Sequence, residues 1–380
     1  MLSYSNVYET LLDRDLIARC FWDASKGKRN QRRVKKILNN LPYHVDVVYN
    51  MLLDESFQSV QHEPKIINEN SSKKTRRIIR PDFAYEQVFH HLVMKPFSKI
   101  IEKSIYTLSC ANMKGRGTHY GDRHVRRILG KYSGKKLYIL KMDIHHYYDS
   151  IDRTILKAKL RKMFKDDKYY NLLCKLIDYD GNENGIGIPL GYYTSQWFGN
   201  FYLLEFDYYV KQVLHADDYI RYADDMIVFG PNKKKLHKIR QQIDDYLKDA
   251  LHLELKSNWQ VFRFEYYDSK KQKVRGRALD FLGFVYHYNR KTLRKSIISR
   301  ARKKAYRIKK SKKLTWYTST QMLSYMGWFK HTDTYDYFKK YIYCNVKPKQ
   351  MRRVVSKHEK RGSQYENIKW SDIWTGTVSS

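Results

Sequence analysis

Cysteine is scarce in this chain: Cys20, Cys110, Cys174 and Cys344 are the four among 380 residues. They lie too far apart for a zinc-ligand pattern and too thinly for a disulfide framework, so a reducing, cytoplasmic setting is expected. No run of about 18 apolar residues is present, so no bilayer-spanning helix is expected. The chain does not open on a basic-then-apolar leader, and Glu9 and Asp13 come early, which argues against export. Internal repeats and low-complexity segments are missing too. Acidic side chains are few: 39 Asp and Glu stand against 74 Lys and Arg, a formal net charge of +35. Such a surplus repels itself in a compact state unless a polyanion offsets it. Nucleic acid fits that part best, because basic side chains that neutralise phosphates release counterions. A merely basic, soluble surface is the competing reading. It is weakened by the spread of positive charge along the whole chain.

Hydrophobic residues make up 42%, which suits a folded protein rather than a disordered tail. The length suits two or three structural units of about 100–200 residues each. Tyrosine is abundant, at 34 residues. Aromatic faces among Lys and Arg can stack bases. An A+T-rich genome would enrich tyrosine as well, so the count alone decides nothing.

Residues 1–60 read as amphipathic helices with a basic run at Lys26–Lys36, and Asn68–Lys74 as a polar loop. RRIIRP, 76–81, reads as a short arginine-bearing strand stopped at Pro81. Val88, Phe89, Leu92 and Val93 recur at helical spacing, and Pro96 is expected to kink or end that helix. Met113–His119 is a glycine-containing loop, followed by a basic helix at Asp122–Leu129. The apolar run Leu137–Met142 reads as a buried strand that delivers Asp143 at its end. Asp152 reads as the N-cap of a helix with Ile155, Leu156, Leu160 and Met163 on one face. Asp178–Gly187 is a Gly/Asn loop, and Thr194–Val213 a long aromatic-rich helix. Tyr219–Ala223 and Met226–Phe229 flank Asp224–Asp225 as a hairpin. A helix around Lys234–Leu251 follows, then a strand pair in Ala278–Tyr286. Ser296–Lys310 is a very basic helix whose buried stripe is Ile297, Ile298, Ala301 and Ile308. Met322–Lys330 is helical, and the tail after Pro348 is polar and loose.

Two features carry chemistry together: Asp143 at the end of an apolar strand, and Asp224–Asp225 at the tip of a hairpin in YIRYADDMIVFG. Crowded carboxylates raise each other's pKa, and a hard divalent cation relieves the cost of ionising them all. Two such ions about 4 Å apart can activate an attacking 3′-oxygen and stabilise leaving pyrophosphate. An isolated Asp-Asp turn is weak evidence, because Asp tolerates turn geometry. Apolar strands on both sides strengthen it, since they support the pair rigidly. Asp217 and Asp218 offer a contrast: they sit in a polar linker and read as solvated.

Asp143 followed by IHHYYDSID, then GIPLGYYTSQ, RYADD and LDFLGF, resembles the ordered motifs of reverse transcriptases over about Arg76 to His331. The resemblance implies an α+β, right-hand polymerase with fingers, palm and thumb. It implies a helical extension over 1–70, fingers over 71–136, and a palm over 137–290 with a fingers insertion at about 160–186. The thumb then covers 291–347, and 348–380 is a polar tail. Little chain follows the thumb, so no RNase H domain is expected. By the same resemblance, Asp143, Asp224 and Asp225 are the catalytic, metal-binding residues for two Mg²⁺ ions, with Mn²⁺ as a substitute. Ile144 offers a backbone carbonyl. Tyr148 takes the place of the steric gate against ribose, with core packing as the competing reading. Arg76 and Arg77 resemble the residues that grip the incoming triphosphate. Adjacent strand residues point to opposite faces, so one of the two is expected to reach it. Leu190, Gly191 and Gln196 belong to the nucleotide- and template-facing segment. Lys114 and Arg116 resemble nucleic-acid contacts. Arg300, Lys303, Lys304 and Arg307 lie on a thumb helix that would track the template–product backbone. Solvated charge is the competing reading for all eight basic residues named here.

The pattern Leu190-Gly191-x-x-x-Ser195-Gln196 resembles reverse transcriptases of diversity-generating retroelements, in which an apolar residue before the glycine goes with error-prone copying of adenines. KGKR (26–29), GRGTH (115–119), SNWQVF (257–262), LRKS (293–296) and Ser324–Thr334 point the same way. Departures are Ala223 where that group more often has Met, and Tyr192-Tyr193 for Asn-Leu. Trp259 stands near the position of an expected lysine, with Lys256 the nearest substitute. Antiphage-defence, retron and group II intron enzymes share the core motifs. The resemblance implies template RNA, DNA product and deoxynucleotides as partners, with a structured noncoding RNA and a small basic accessory protein in the diversity-generating case. The setting it implies is a bacterial or phage-infected cytoplasm. A non-catalytic RNA-binding protein on the same fold and a template-independent or protein-primed synthase are the alternatives.

Overall fold

Helical periodicity dominates before residue 60, and a computed structural model describes residues 3–60, 62–69, 74–178, 184–311 and 313–360. Helices α1 (Arg14–Ser25), α2 (Arg32–Leu38) and α3 (Leu41–Leu53) open the chain. Asp13 caps α1 by accepting from the Asp15 and Leu16 amides. The strands β1 (Lys65–Glu69) and β2 (Lys74–Ile78) form an antiparallel hairpin. The expected polar loop therefore gives up its ends to strands, and 70–73 lie outside the described residues.

Helix α4 (Glu86–Ile101) continues past Pro96, so of the expected kink or end it is not the end that occurs. Proline removes one amide donor from the helix. Phe97 and Ile101, both fully buried beyond it, hold the last turn against the core. Next come α5 (Thr118–Lys131), β3 (Tyr138–Asp143), α6 (Arg153–Met163) and α7 (Asp167–Ile177). Asp152 caps α6 as expected, accepting from the Thr154 and Ile155 amides. The expected long helix from Thr194 is instead α8 (Tyr193–Tyr202), α9 (Leu204–Tyr208) and a wide π turn at Tyr209–Val213. Two tertiary anchors flank that break: Tyr202 donates to the Leu251 carbonyl, and Asp207 pairs with Arg221.

Strands β4 (Asp218–Tyr222) and β5 (Asp225–Gly230) form the expected hairpin, followed by α10 (Lys233–Leu251). Asp218 opens β4 rather than lying in a linker, and it pairs with Lys131 at 2.7 Å. Asp217 pairs with Lys235 at 3.0 Å. The chain continues through β6 (Gln260–Arg263), β7 (Tyr266–Asp268), β8 (Lys273–Arg275), β9 (Leu279–Phe281), β10 (Phe284–Tyr286) and β11 (Lys291–Leu293). It ends in α11 (Lys295–Ser311), α12 (Trp316–Phe329), α13 (Tyr335–Phe338) and α14 (Pro348–Lys360). The tail expected to be loose thus begins as a helix, and 361–380 lie outside the described residues.

The sheets run β1-β2, β4-β5-β3-β6, β7-β8 and β11-β10-β9. Helices and antiparallel pairs share the chain, which makes it α+β. Among the described residues two compact units result: one takes the chain to Lys131 and Leu140–Val261, the other Tyr132–Ile139 and the chain from Phe262 to 360. In the first, Leu140, Met142, Tyr219, Ile220 and Met226–Phe229 form a sheet core with almost no solvent access. Helix α10 covers it with Ile239, Ile243, Leu247 and Leu251. In the second, α11 buries Ile297, Ala301, Ala305 and Ile308. Ala305 takes the place in the stripe that Ile298 was expected to fill. Among the described residues, no helix is long and apolar enough to cross a membrane.

One glycine controls a junction in the first unit. The Ile79 amide donates to the Leu190 carbonyl at 2.8 Å, which draws the end of β2 onto the Leu190–Gly191 segment. Gly191 has φ +115°, and a Cβ there would lie 2.1 Å from the Ile79 carbonyl oxygen. Both conformation and space demand glycine. Gly191→Ala should therefore destabilise the protein by at least about 1–3 kcal/mol. Urea denaturation checks it, and an unchanged midpoint would show that this junction is not tight in solution.

Candidate active site

The site begins with how each carboxylate is delivered. Strand β3 is apolar because it is buried, with Ile139, Leu140 and Met142 inaccessible to solvent. Its last residue, Asp143, is half-buried where the strand emerges. In the neighbouring hairpin, Tyr222 pairs with Asp225, so Ala223 and Asp224 form a two-residue loop. Ala223 has φ 55°, the left-handed region that tight hairpin turns require and that alanine adopts at some cost. The Ile144 amide donates to the Asp224 carbonyl at 3.3 Å, which ties the end of β3 to the hairpin tip.

A buried ion pair holds the tip. Arg221 and Asp207 are completely inaccessible. Arg221 Nε donates to Asp207 Oδ1 at 2.7 Å and Nη2 to Oδ2 at 2.6 Å, a bidentate fork. Its Nη1 donates to the Ala223 carbonyl at 3.0 Å and to Asn200 Oδ1 at 3.4 Å. The Tyr219 hydroxyl donates to Asp207 Oδ1 at 2.9 Å. Asn200 Nδ2 donates in turn to the Ala111 carbonyl at 2.8 Å. The left-handed turn that presents Asp224 is therefore gripped from beneath by a fully paired network. Asp207, Arg221 and Asn200 are functional residues that sequence reasoning missed. The available signal was two acids, Glu205 and Asp207, in the aromatic segment FYLLEFDYYV and one base in the strand DYIRY.

The carboxylates themselves are under-compensated. Burial, then the charge of Asp143 and a side-chain hydrogen bond with it, and last the charge of Asp225, push the Asp224 carboxyl up to about 7. Asp143 Oδ2 accepts from Lys256 Nζ at 2.6 Å. Asp143 Oδ1 is buried and has no hydrogen-bond partner. An orphaned carboxylate oxygen beside a second carboxyl in its field is a donor set that suits a hard divalent cation. The structure thus brings Asp143 and Asp224 together, with Asp225 half-buried at the start of β5. Among the described residues, no three His, Cys, Asp or Glu side chains stand in ligating geometry. The three aspartates are gathered, but not closed around a single point.

Other expected residues divide by position. Tyr147 and Tyr148 lie on the 3-10 turn Tyr147–Ser150. Tyr147 is buried, and its hydroxyl donates to the Gly199 carbonyl at 2.5 Å. Tyr148 is half-buried, and burial and then the charge of Asp224 push its hydroxyl up to about 12. Its Cε1 lies 3.0 Å from where a Gly199 Cβ would stand, so Gly199 makes room for the ring. The charge of Asp224 reaches both hydroxyls, but it is a leading cause only at Tyr148 and the least at Tyr147. Leu190 is half-buried and Gln196 exposed at the start of α8. Arg76 and Arg77 are exposed on β2, opposite Ile67 and Ile66. Lys114 is exposed, whereas Arg116 Nη1 donates to the Tyr106 carbonyl at 2.9 Å and holds its own loop. In the second unit, Lys303 and Arg307 are exposed on α11, Arg300 is half-buried, and Lys304 sits 5.2 Å over the Tyr317 ring.

A strand-borne aspartate stands beside an Asp-Asp hairpin, on an antiparallel sheet backed by helices, an arrangement that nucleotidyl transfer by positioning and charge neutralisation could use. A family model described as "Reverse transcriptase (RNA-dependent DNA polymerase)" matches residues 67–286, more than half of the chain. The chain belongs to that family and has its right-hand polymerase fold. It is similar to Protein YkfC of Escherichia coli (strain K12), at 23% identity over 211 residues, 45% of this chain and 55% of that protein. It therefore spans about half the length of that relative. Solved telomerases are also similar in fold. One from Candida tropicalis, in complex with a TWJ fragment of telomeric RNA, has 12% identity and a TM-score of 0.45, covering 88% of this chain and 68% of that one. The Candida albicans counterpart has 12% identity and a TM-score of 0.44, covering 85% and 65%.

The raised Asp224 carboxyl carries a pH dependence. Its value in the folded state, about 7, lies above that of an unfolded aspartate. Between the two values the native state holds a proton that the unfolded chain has released, so stability falls as pH rises from about 4 towards 7. In EDTA the wild type should thus melt at a lower temperature at pH 8 than at pH 5. Asp224→Asn should flatten that loss and melt higher than wild type at pH 8. Parallel pH profiles of the two proteins would remove Asp224 as the source.

Proposed function

We propose that the chain is an RNA-directed DNA polymerase that adds deoxynucleotides to a primer at Asp143, Asp224 and Asp225. The observation that carries this is the orphaned Asp143 oxygen facing a carboxyl whose ionisation Asp143 opposes, in a chain of reverse transcriptase family. Divalent cations bound by these three residues, Mg²⁺ with Mn²⁺ as substitute, would supply Lewis acidity at the attacking 3′-oxygen and the leaving pyrophosphate. The remaining work is positioning. The Tyr148 ring, set by the Gly199 gap, would close the space a ribose 2′-hydroxyl needs. Arg76 or Arg77 would hold the triphosphate from β2, whose end is docked on Leu190–Gly191. Gln196 and Lys114 would contact nucleotide or template. The Arg116 guanidinium already serves its loop, so its part would be to shape that contact. Arg300, Lys303, Lys304 and Arg307 would follow the phosphates of a template–product duplex without reading sequence.

On this reading, fingers occupy 71–136, palm 137–290 with its insertion at about 160–186, and thumb 291–347, behind a helical extension over 1–70. The compact unit that begins at Phe262 favours moving β7–β11 from palm to thumb side. Leu190 before Gly191 favours the error-prone, diversity-generating type, with a structured template RNA and a small basic accessory protein in a bacterial or phage-infected cytoplasm. Antiphage-defence or retron-like action, protein-primed included, is the second reading, favoured by Ala223 and Tyr192-Tyr193.

Primer extension on an RNA template with Mg²⁺ tests the activity. Asp224→Asn/Asp225→Asn should lower incorporation by at least about 10³-fold, the scale of lost electrostatic stabilisation at a reacting centre. Extension that survives the double change would exclude the hairpin as the metal site. The subtype has its own test: Leu190→Gln should reduce misincorporation opposite template adenines when products are sequenced. An unchanged error spectrum would count against the diversity-generating type.

A further inference from the structure

The segment after α10 returns to the end of β3. The His145 amide donates to the Glu254 carbonyl at 2.7 Å, and the Lys256 amide to the Asp143 carbonyl at 2.8 Å. The backbone of Lys256 is thus laddered to the residue that its side chain faces. From this fixed root Nζ meets Asp143 Oδ2 at 2.6 Å, with 23% and 31% of the two side chains exposed. Asp143 Oδ1, on the inner side of the same carboxylate, is buried and unpartnered. An ordinary surface ion pair shares neither feature: its lysine is tethered only through its own stem, and water completes its carboxylate.

Lysine suits a temporary role here. Its ammonium is a compact point charge on a flexible four-carbon stem, so it can neutralise a carboxylate and leave without moving the backbone. We propose that Lys256 is the resident counter-cation of the metal-free site: its ammonium holds Asp143 until a divalent cation displaces it. The inference rests on the metal-binding reading of Asp143 above. Lys256 is a positioning residue in this account, acting through Asp143. It keeps the carboxylates from repelling one another while the site is empty of metal, and it sets how much divalent cation is needed to fill it. Competition follows directly: whatever the ammonium contributes to the metal-free state must be given up when the divalent ion binds.

Mn²⁺ binding to the full chain, followed by electron paramagnetic resonance, tests this without any turnover, and melting in EDTA and in saturating Mn²⁺ gives a second readout. Lys256→Met should bind Mn²⁺ about fivefold more tightly, the upper range for a partly exposed ion pair. It should also melt below wild type in EDTA and close to it in Mn²⁺. Lys256→Gln should shift in the same direction, and Lys256→Arg, which keeps a cation, should bind no more tightly than wild type. A Lys256→Met protein that folds only when Mn²⁺ is present would support the proposal as well. Equal or weaker Mn²⁺ binding by Lys256→Met overturns it while leaving Asp143 as a ligand. If Asp143→Asn binds Mn²⁺ as wild type does, the metal reading of Asp143 fails and the proposal falls with it.

Discussion

The site depends on one buried ion pair. Asp207 and Arg221 have no solvent access, and such a pair is costly unless its remaining donors and acceptors are used. Here they are used: Tyr219 and Asn200 complete the network, and the last arm of Arg221 holds the Ala223 carbonyl. That arm is what links core to chemistry. It fixes a left-handed residue in a turn where the only side chains of consequence are carboxylates. The surrounding packing explains why the pair can exist at all, because the buried Leu204, Phe206, Tyr219 and Ile220 of α9 and β4 exclude water around it.

Above that anchor the electrostatics reverse. The buried pair is balanced, while the exposed end of the sheet carries more negative charge than its immediate neighbours offset. Asp224 holds its proton more tightly than a solvated aspartate because burial and Asp143 both oppose its ionisation. Asp143 has one oxygen on Lys256 and one without a partner. The excess sits in a chain with a net charge of +35, so it is a local choice and not a reflection of composition. A balanced base and an unbalanced tip are the arrangement that the proposed cation site calls for.

Geometry at Gly191 ties a second part of the chain to the first. The close approach there is to the backbone of Ile79, so the glycine joins the arginine-bearing hairpin to the segment entering α8. The hairpin that carries Arg76 and Arg77 is thereby fixed to the segment entering α8 through main chain. Tyr147, Tyr148 and Gly199 form a similar joint, in which a missing side chain on α8 makes space for two rings.

Much of this was legible from the amino acids alone. The apolar run ending at Asp143, the hairpin carrying Asp224–Asp225, the Asp152 cap and the basic helix α11 are local features, written in periodicity and in residues with strong backbone preferences. Long-range partnerships were not legible. Nothing near Asp207 in sequence names Arg221, and nothing near Lys256 names Asp143, because such pairs form only when strands and helices distant along the chain are packed side by side. Tertiary burial also carried α4 through Pro96, divided the helix after Thr194 and ordered α14, each time overriding a local preference worth less than the core contacts it met. Sequence by itself determined which side chains could do chemistry and which strands would carry them. Only the folded chain decided which of those charges are paired and how tightly Asp224 holds its proton, since that balance depends on distance and solvent exclusion rather than on residue type.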